Sequence, residues 1–284
     1  MMENTLSEMV KGKEYMDGMK GESIKVLDHG FVQIVDYMGD DAAIVQAARV
    51  SYGKGTKTLN EDRGLIRYLM SHWHTTPFEM CEIKVHVKLP IFVARQWIRH
   101  RTANVNEMSA RYSILPGEFY IPSVDDMGAQ STGNAQGREY SEAYFTRAEE
   151  DRAIIKRASH SAYTDYEALV DGGLSRELSR MVLPTNVYTS WYWKVNLHNL
   201  LNFLRLRCDP HAQWEIRQYA DVLLGIVERW CPLTWQAFMD YRVNAVTFSA
   251  TEMAALDIVM RLENAVGLSE REVKALTAKI VKDY

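Results

Sequence analysis

Cysteine is scarce in this chain: Cys81, Cys208 and Cys231 are the three in 284 residues, odd in number and far apart. That excludes a disulfide framework, offers no paired spacing for zinc, and predicts free thiols in a reducing compartment, the cytoplasm. No apolar run approaches the length of a membrane span, so no membrane partner is expected. The opening MMENTLSEMVKGKEYMDGMKGES lacks the hydrophobic stretch of a signal peptide and reads as a polar extension over residues 1–22, with a short helix as its one candidate element. Neither sign of charge dominates. A net charge of −4 excludes a general electrostatic binder of nucleic acid or membrane, so any anion site must come from local clustering. The chain also lacks a Gly-x-Gly-x-x-Gly dinucleotide turn, a Gly-x-Ser-x-Gly nucleophile elbow, internal repeats and long low-complexity tracts.

With 47% hydrophobic and 25% charged residues, the composition is that of an ordinary globular protein, large enough for one big domain or two small ones. Ile24–Leu27 and Phe31–Tyr37 read as short strands around a turn at Asp28-His29-Gly30. Asp40 or Asp41 can cap a helix through AAIVQAARV, and Asn60 the next, where Leu65, Ile66, Leu69 and Met70 form a stripe. In CEIKVHVKL, Ile83, Val85, Val87 and Leu89 alternate with Glu82, Lys84, His86 and Lys88, a strand with one buried and one wet face, as antiparallel sheets use. Pro90 suits the first turn of a following helix. Gly117–Arg138 is small and polar, with MGAQSTGNAQG as a loop or insertion. Beyond Tyr140 the pattern predicts helices over Ser141–Val170, Ser175–Leu183, Thr189–Leu206 and His211–Trp230, punctuated by prolines. A capping box at Ser269 and Glu272 opens a last helix. The expected class is α+β: a small antiparallel sheet packed with helices, the second half mostly helical.

The densest chemistry lies in RHRTANVNEMSARY, Arg99–Tyr112. Three successive cationic or titratable side chains point in different directions, so Arg99-His100-Arg101 cannot form one solvated stripe. Guanidinium forks match phosphate oxygens in pairs, and Ser109 and the asparagines add neutral donors, so the cluster suits an anion approached from several sides. The core-like IFVARQWI before it predicts that the cluster is partly buried.

The same stretch resembles the signature of the flavin-dependent thymidylate synthases: RHR, seven residues, Ser109, then Arg111-Tyr112. Further blocks agree in order: AARVSYG, HTTPFE, PIFVARQWIRHR, ARYS with EFYIPS, SRMVLPTNVYT, and VNLHNLLNFLRLRCDPHAQWEIRQYA. The resemblance runs from about Ile24 to Tyr241. It implies a catalytic domain over residues 23–243, with 124–139 as a loop or insertion and 244–284 as a C-terminal helical extension. The fold it implies binds FAD without a Rossmann domain. The implied reaction methylates dUMP to dTMP, with 5,10-methylenetetrahydrofolate as carbon donor, FAD as redox cofactor and NADPH as reductant, releasing tetrahydrofolate. A homotetramer with sites shared between subunits is implied too, and no nucleic acid.

Residue by residue, the resemblance places FAD on Ser51, Thr76, Glu79, Arg99, His100, Arg101, Glu107, Asn196, His198 and Asn202. It places dUMP on Gln96, Arg99, Glu107, Ser109, Ala110, Arg111, Arg180 and Arg207, with His74 at the flavin ring or folate entrance. Arg207 is the catalytic candidate, because a guanidinium beside the uracil ring favours the electron density that builds there in the transition state. A helix-end cation is the plainer reading of the same residue. His198 and Asn104 depart from the family pattern, which commonly has Arg and Ser there.

Alternatives attach to several of these residues. An ion-pair network around Glu107 is the structural reading of the cluster. Ser109 near His100 and Glu107 suggests a hydrolase nucleophile, against which stands the missing elbow. His72 and His74 suggest a metal, but their side chains diverge on a helix and no further ligand is evident, so none is expected. Cys208 beside Arg207 could have a lowered pKa and mimic a thiolate nucleophile, but reads better as a helix-end filler. The rival class is a non-catalytic nucleotide- or RNA-binding protein, with Trp97, Tyr112 and Trp191–Trp193 as stacking platforms.

Overall fold

The structure is a computed structural model, and it describes residues 12–50, 59–133, 136–139 and 141–256. Asn60, expected as a helix cap, instead lies within the helix Leu59–Ser71, because the helix begins a residue before it; the cap expected at Ser269 lies outside the described residues. The chain divides into two compact units, Met1–Val243 and Asn244–Tyr284. In the second, a helix over 250–256 is opened by reciprocal bonds, Ser249 N–H to Glu252 Oε2 at 2.7 Å and Glu252 N–H to Ser249 Oγ at 3.2 Å.

The first unit is built on a five-stranded sheet of order β1-β2-β3-β7-β4. Its strands are β1 (Ser23–Val26), β2 (Gly30–Met38), β3 (Glu82–Pro90), β4 (Asn104–Glu107) and β7 (Tyr188–Asn196), each pair antiparallel. β3 holds the centre with the alternation that the sequence predicts: Ile83, Val85, Val87 and Leu89 are fully buried, while Glu82, Lys84, His86 and Lys88 are half-buried. Gly30 begins β2 where a side chain would collide, since a Cβ would lie 2.0 Å from the Tyr219 hydroxyl.

Tyr188–Asn196 is a strand, which corrects the expected helix from Thr189; helix α9 covers only Leu197–Arg207. The reason is pairing. YTSWYWKVN is rich in aromatic and β-branched residues, and Thr189, Trp191, Trp193 and Val195 alternate inward while every residue from Tyr188 to Asn196 faces a partner in β3. Asn196 then ends the strand and caps α9, accepting from the Asn199 N–H at 2.9 Å.

Helices cover the inward face: α1 (residues 12–19), α2 (Asp41–Val50), α3 (Leu59–Ser71), α4 (Thr76–Glu79), α5 (Ile91–Trp97), α9, α10 (Trp214–Trp230) and α11 (Pro232–Phe238). Met16 of α1 is buried, so this part of the N-terminal stretch contributes to the core. Pro90 is the last residue of β3 and precedes α5 instead of opening it. Trp97 is the hub of the core, with ring centroids 4.7 Å from Phe203, 5.2 Å from Trp193, 5.8 Å from Trp191 and 6.1 Å from Tyr219. Asp40 caps α2 through its contact to the Ala43 N–H at 3.0 Å. Asp41 is buried and turned to the start of α11, where it accepts from Leu233 N–H, Thr234 N–H and the Thr234 hydroxyl at 2.8, 3.0 and 2.6 Å.

Between β4 and β7 the chain forms a short hairpin, β5 (Ala129–Gln130) with β6 (Arg138–Glu139), inside the expected loop. Helices α6 (Glu142–Phe145), α7 (Ala148–Asp171) and α8 (Arg176–Ser179) follow.

Candidate active site

The edge of the sheet at β4 and β7, with the end of α9, gathers most of the expected residues into neighbouring hollows. The first is a cleft of about 410 Å³ lined by Arg99, His100, Arg101, Asn202 and Arg207, with Asn199 added by the fold. The α5 helix ends at Trp97, whose burial anchors the turn that presents the RHR triplet. Arg99 and Arg101 are exposed and His100 half-buried, so within the triplet the expected partial burial holds for the histidine alone. The arginines follow the last buried residue of α5 and leave the core with the chain.

Arg207 ends α9, and its Nε–H donates to His100 Nε2 at 3.0 Å while Nη2 donates to the Gln96 carbonyl at 3.3 Å. Burial, and then the Arg207 charge, push the His100 pKa down to about 4. The triplet thus carries two cations flanking a neutral imidazole that has its proton on Nδ1. Burial, then the Arg99 charge, lower the Arg207 pKa, so this cation is poorly compensated until an anion arrives.

No carboxylate among the described residues lines this cleft, and Trp193, which does, carries a buried Nε1 with no hydrogen-bond partner. A donor set of guanidiniums and amides fits a pyrophosphate such as that of the flavin nucleotide the sequence implies.

A second hollow of about 510 Å³ lies at the other end of β7, lined by Glu107, Ser109, Ala110, Arg180, Leu183 and Thr189. Glu107 accepts from the Thr189 hydroxyl at 2.7 Å, so the ion-pair network considered for it is replaced by a neutral donor. Ser109 Oγ accepts from the Arg111 N–H at 3.3 Å, and His100 Nε2 is taken by Arg207, so no serine–base pair forms. Arg111 pairs with Glu177 at 3.5 Å, and Arg176 donates to the Tyr112 carbonyl at 2.8 Å, which ties this turn to α8 and to Arg180 beyond it. Thr189 and Trp193, one in each hollow, are four residues apart along β7, a spacing of roughly 13 Å.

A third, small pocket of about 50 Å³ takes His74 together with His198 and Asn202, which also borders the first cleft. Sequence reasoning missed its other walls, Trp73 and Arg242; the guanidinium lies 3.5 Å from the Trp73 ring centroid. Thr76 is exposed and Glu79 half-buried on α4, outside the lining, whereas Thr75 and Phe78 belong to it. Asn196 serves as the α9 cap, with Oδ1 also accepting from the Asn199 amide at 2.9 Å. Ser51 lies outside the described residues.

Two of the alternatives lose support. Trp97, Trp191 and Trp193 are 0, 2 and 1% exposed, so they are core residues and cannot serve as open stacking platforms. Cys208 is not an activated thiol: burial, then Asp221, push its pKa up to about 12.

An α+β scaffold carries a donor-rich cleft, suited to an anionic ligand, at a sheet edge. The sequence between residues 33 and 233 matches the family described as Thymidylate synthase complementing protein. A flavin-dependent thymidylate synthase of Ruegeria pomeroyi is 59% identical over 255 residues, covering 87% of this chain and 84% of that one. One of Rickettsia bellii is 53% identical over 277 residues, covering 92% and 94%. Among solved structures, a UMP/dUMP methylase, PolB of Streptomyces cacaoi, bound with 5-Br dUMP, superposes with a TM-score of 0.69 at 32% identity, covering 78% of this chain and 99% of that one. The chain belongs to the flavin-dependent thymidylate synthase family.

Proposed function

We propose that this protein converts dUMP to dTMP with FAD as redox cofactor, 5,10-methylenetetrahydrofolate as carbon donor and NADPH as reductant, releasing tetrahydrofolate. The observation that carries this reading is the donor-only cleft of Arg99, His100, Arg101 and Arg207 in a chain of this family. In it, Arg99, Arg101 and the Nδ1–H of His100 hold the flavin pyrophosphate; Asn202 and His198 lie along the α9 face, and Ser51, Thr76, Glu79, Glu107 and Asn196 are assigned to the rest of the flavin nucleotide. When bound, the flavin supplies the hydride that completes the methyl group, and NADPH restores it.

The pyrimidine nucleotide is assigned to Gln96, Arg99, Glu107, Ser109, Ala110, Arg111, Arg180 and Arg207. Ser109, Arg111 and Arg180 suit its phosphate. Arg207 faces the uracil. Forming a bond at C5 pushes electron density onto the ring carbonyls, and a planar guanidinium preset by His100 and the Gln96 carbonyl stabilises that density more in the transition state than in the ground state. His74 stands at the entrance for the flavin ring or the folate.

Of these residues, Arg99 and Arg207 line the first hollow and Glu107, Ser109, Ala110 and Arg180 the second, separated along β7. A homotetramer in which each site combines hollows from different subunits accounts for that split. The exposed apolar side chains Tyr112, Ile114, Ile154, Leu178 and Met181 on and near α7 and α8 support such contacts.

The test is dTMP formation by purified protein from dUMP, methylenetetrahydrofolate and NADPH, with light scattering on the same sample. Product that depends on FAD, from a particle about four times the chain mass, is expected. Product formed equally without flavin, or full activity in a monomer, overturns the corresponding part.

A further inference from the structure

Gln96 ends in a side-chain relay that leads away from the cleft into the protein. Its Nε2 donates to Gln213 Oε1, and Gln213 Nε2 donates to Glu215 Oε2 at 2.8 Å. Glu215 is only 2% exposed and is held on its other oxygen by Arg138 Nη1 at 2.8 Å and the Tyr120 hydroxyl at 3.2 Å. Arg138 comes from the short β6 strand, in the segment that reads as an insertion.

The relay has a polarity. A carboxylate can only accept, so Gln213 must turn its NH₂ toward Glu215. Its carbonyl then faces Gln96, which must turn its own NH₂ to meet it. The Gln96 Oε1 has no hydrogen-bond partner among the described residues, and the backbone under it is held by the bond from Arg207 to the Gln96 carbonyl. A glutamine without this constraint presents either end of its amide, because the two ends have nearly the same shape.

We infer that Glu215 and Gln213 are positioning residues that lock the Gln96 amide with its oxygen toward the pyrimidine nucleotide. This rests on the proposal above that Gln96 touches that nucleotide. A locked acceptor is matched to uracil, whose N3 carries a proton, and mismatched to cytosine, whose N3 is itself an acceptor. The relay therefore sets selectivity for the base as well as affinity. Its key member, Gln213, is exposed and lies at the start of α10 with no cap bond of its own, so it can be replaced without opening the core.

The experiment compares dUMP and dCMP binding to FAD-loaded protein by calorimetry, for wild type, Gln213→Met and Gln96→Ala. Gln213→Met should weaken dUMP binding and lower the dUMP-over-dCMP preference by about tenfold, the scale of one mispaired hydrogen bond, with flavin retention unchanged and the melting temperature only modestly lowered by the donor that Glu215 loses. If Gln213→Met keeps the wild-type preference while Gln96→Ala loses affinity, the relay has no role in selectivity. The inference is equally overturned if Gln213→Met changes binding only through lost flavin or lower stability. Wild-type protein that fails to bind dUMP, or Gln96→Ala that binds it normally, overturns instead the assignment of Gln96 to the nucleotide.

Discussion

Arg207 and His100 are joined by a 3.0 Å hydrogen bond in which the guanidinium Nε–H is the donor and the imidazole Nε2 the acceptor. This one contact sets three things. It holds the guanidinium plane at the end of α9, it fixes the histidine tautomer, and it turns a triplet that looks cationic throughout into two cations with a neutral donor between them. Four predictions follow from this pair and from the buried groups behind it.

Arg207→Ala should retain FAD nearly as wild type, because the flavin site draws on Arg99, Arg101 and the α9 amides. It should bind dUMP more weakly and turn over at least about a hundredfold more slowly, the scale of losing one preorganised transition-state donor. Arg207→Lys should recover part, since an ammonium cannot reproduce the planar fork. Single-turnover oxidation of prereduced flavin with dUMP and methylenetetrahydrofolate measures this. An unchanged rate of dTMP formation in Arg207→Ala would make Arg207 a helix-end cation and nothing more.

His100 should stay neutral in the ligand-free protein until the pH approaches about 4, against an ordinary value of 6.5. The folded state then binds fewer protons than the unfolded chain between those values. Its stabilising contribution is complete above pH 6.5 and is lost as the pH falls toward 4. Imidazole titration by NMR checks the pKa, and melts of wild type against His100→Gln check the slope. Wild type should lose more stability than the variant across this range; parallel curves contradict the assignment.

Asp41→Ala should destabilise the protein by about 2–4 kcal/mol, because it strands three buried donors at the start of α11. The pH effect has the opposite sign from that of His100. Burial outweighs the three donors and raises the carboxyl pKa from 3.8 to about 6, so the folded state binds the extra proton between those values. Stability from this group therefore increases as the pH falls through 6. Urea denaturation of wild type and Asp41→Ala at several pH values separates the two trends, and equal midpoints at neutral pH would remove Asp41 from the structural account.

Cys208→Ala should keep most of the activity, and the wild-type Cys208 thiol should react slowly with a disulfide reagent at pH 8, given a pKa near 12. A loss of about a thousandfold in a folded Cys208→Ala variant would point to covalent catalysis by this thiol.

Much of the site is legible in the chain because its signals are local. The alternation in β3, the RHR triplet and the helix carrying Arg207 each need only neighbouring residues to be read, and the ordered blocks identify the family. The strand Tyr188–Asn196 reads as part of a helix because its run continues without a break into α9; pairing with β3, more than a hundred residues earlier, decides it. The exposure of Arg99 and Arg101, the neutrality of His100 and the burial of the tryptophans depend on what surrounds each side chain in space. Gln96 meets Gln213 across 117 positions, and Glu215 meets Arg138 across 77. By itself the sequence determined which chemical groups the protein has and which short segments present them. The tertiary structure alone decided which groups touch, because desolvation and hydrogen-bond direction are set by neighbours that chain order does not name.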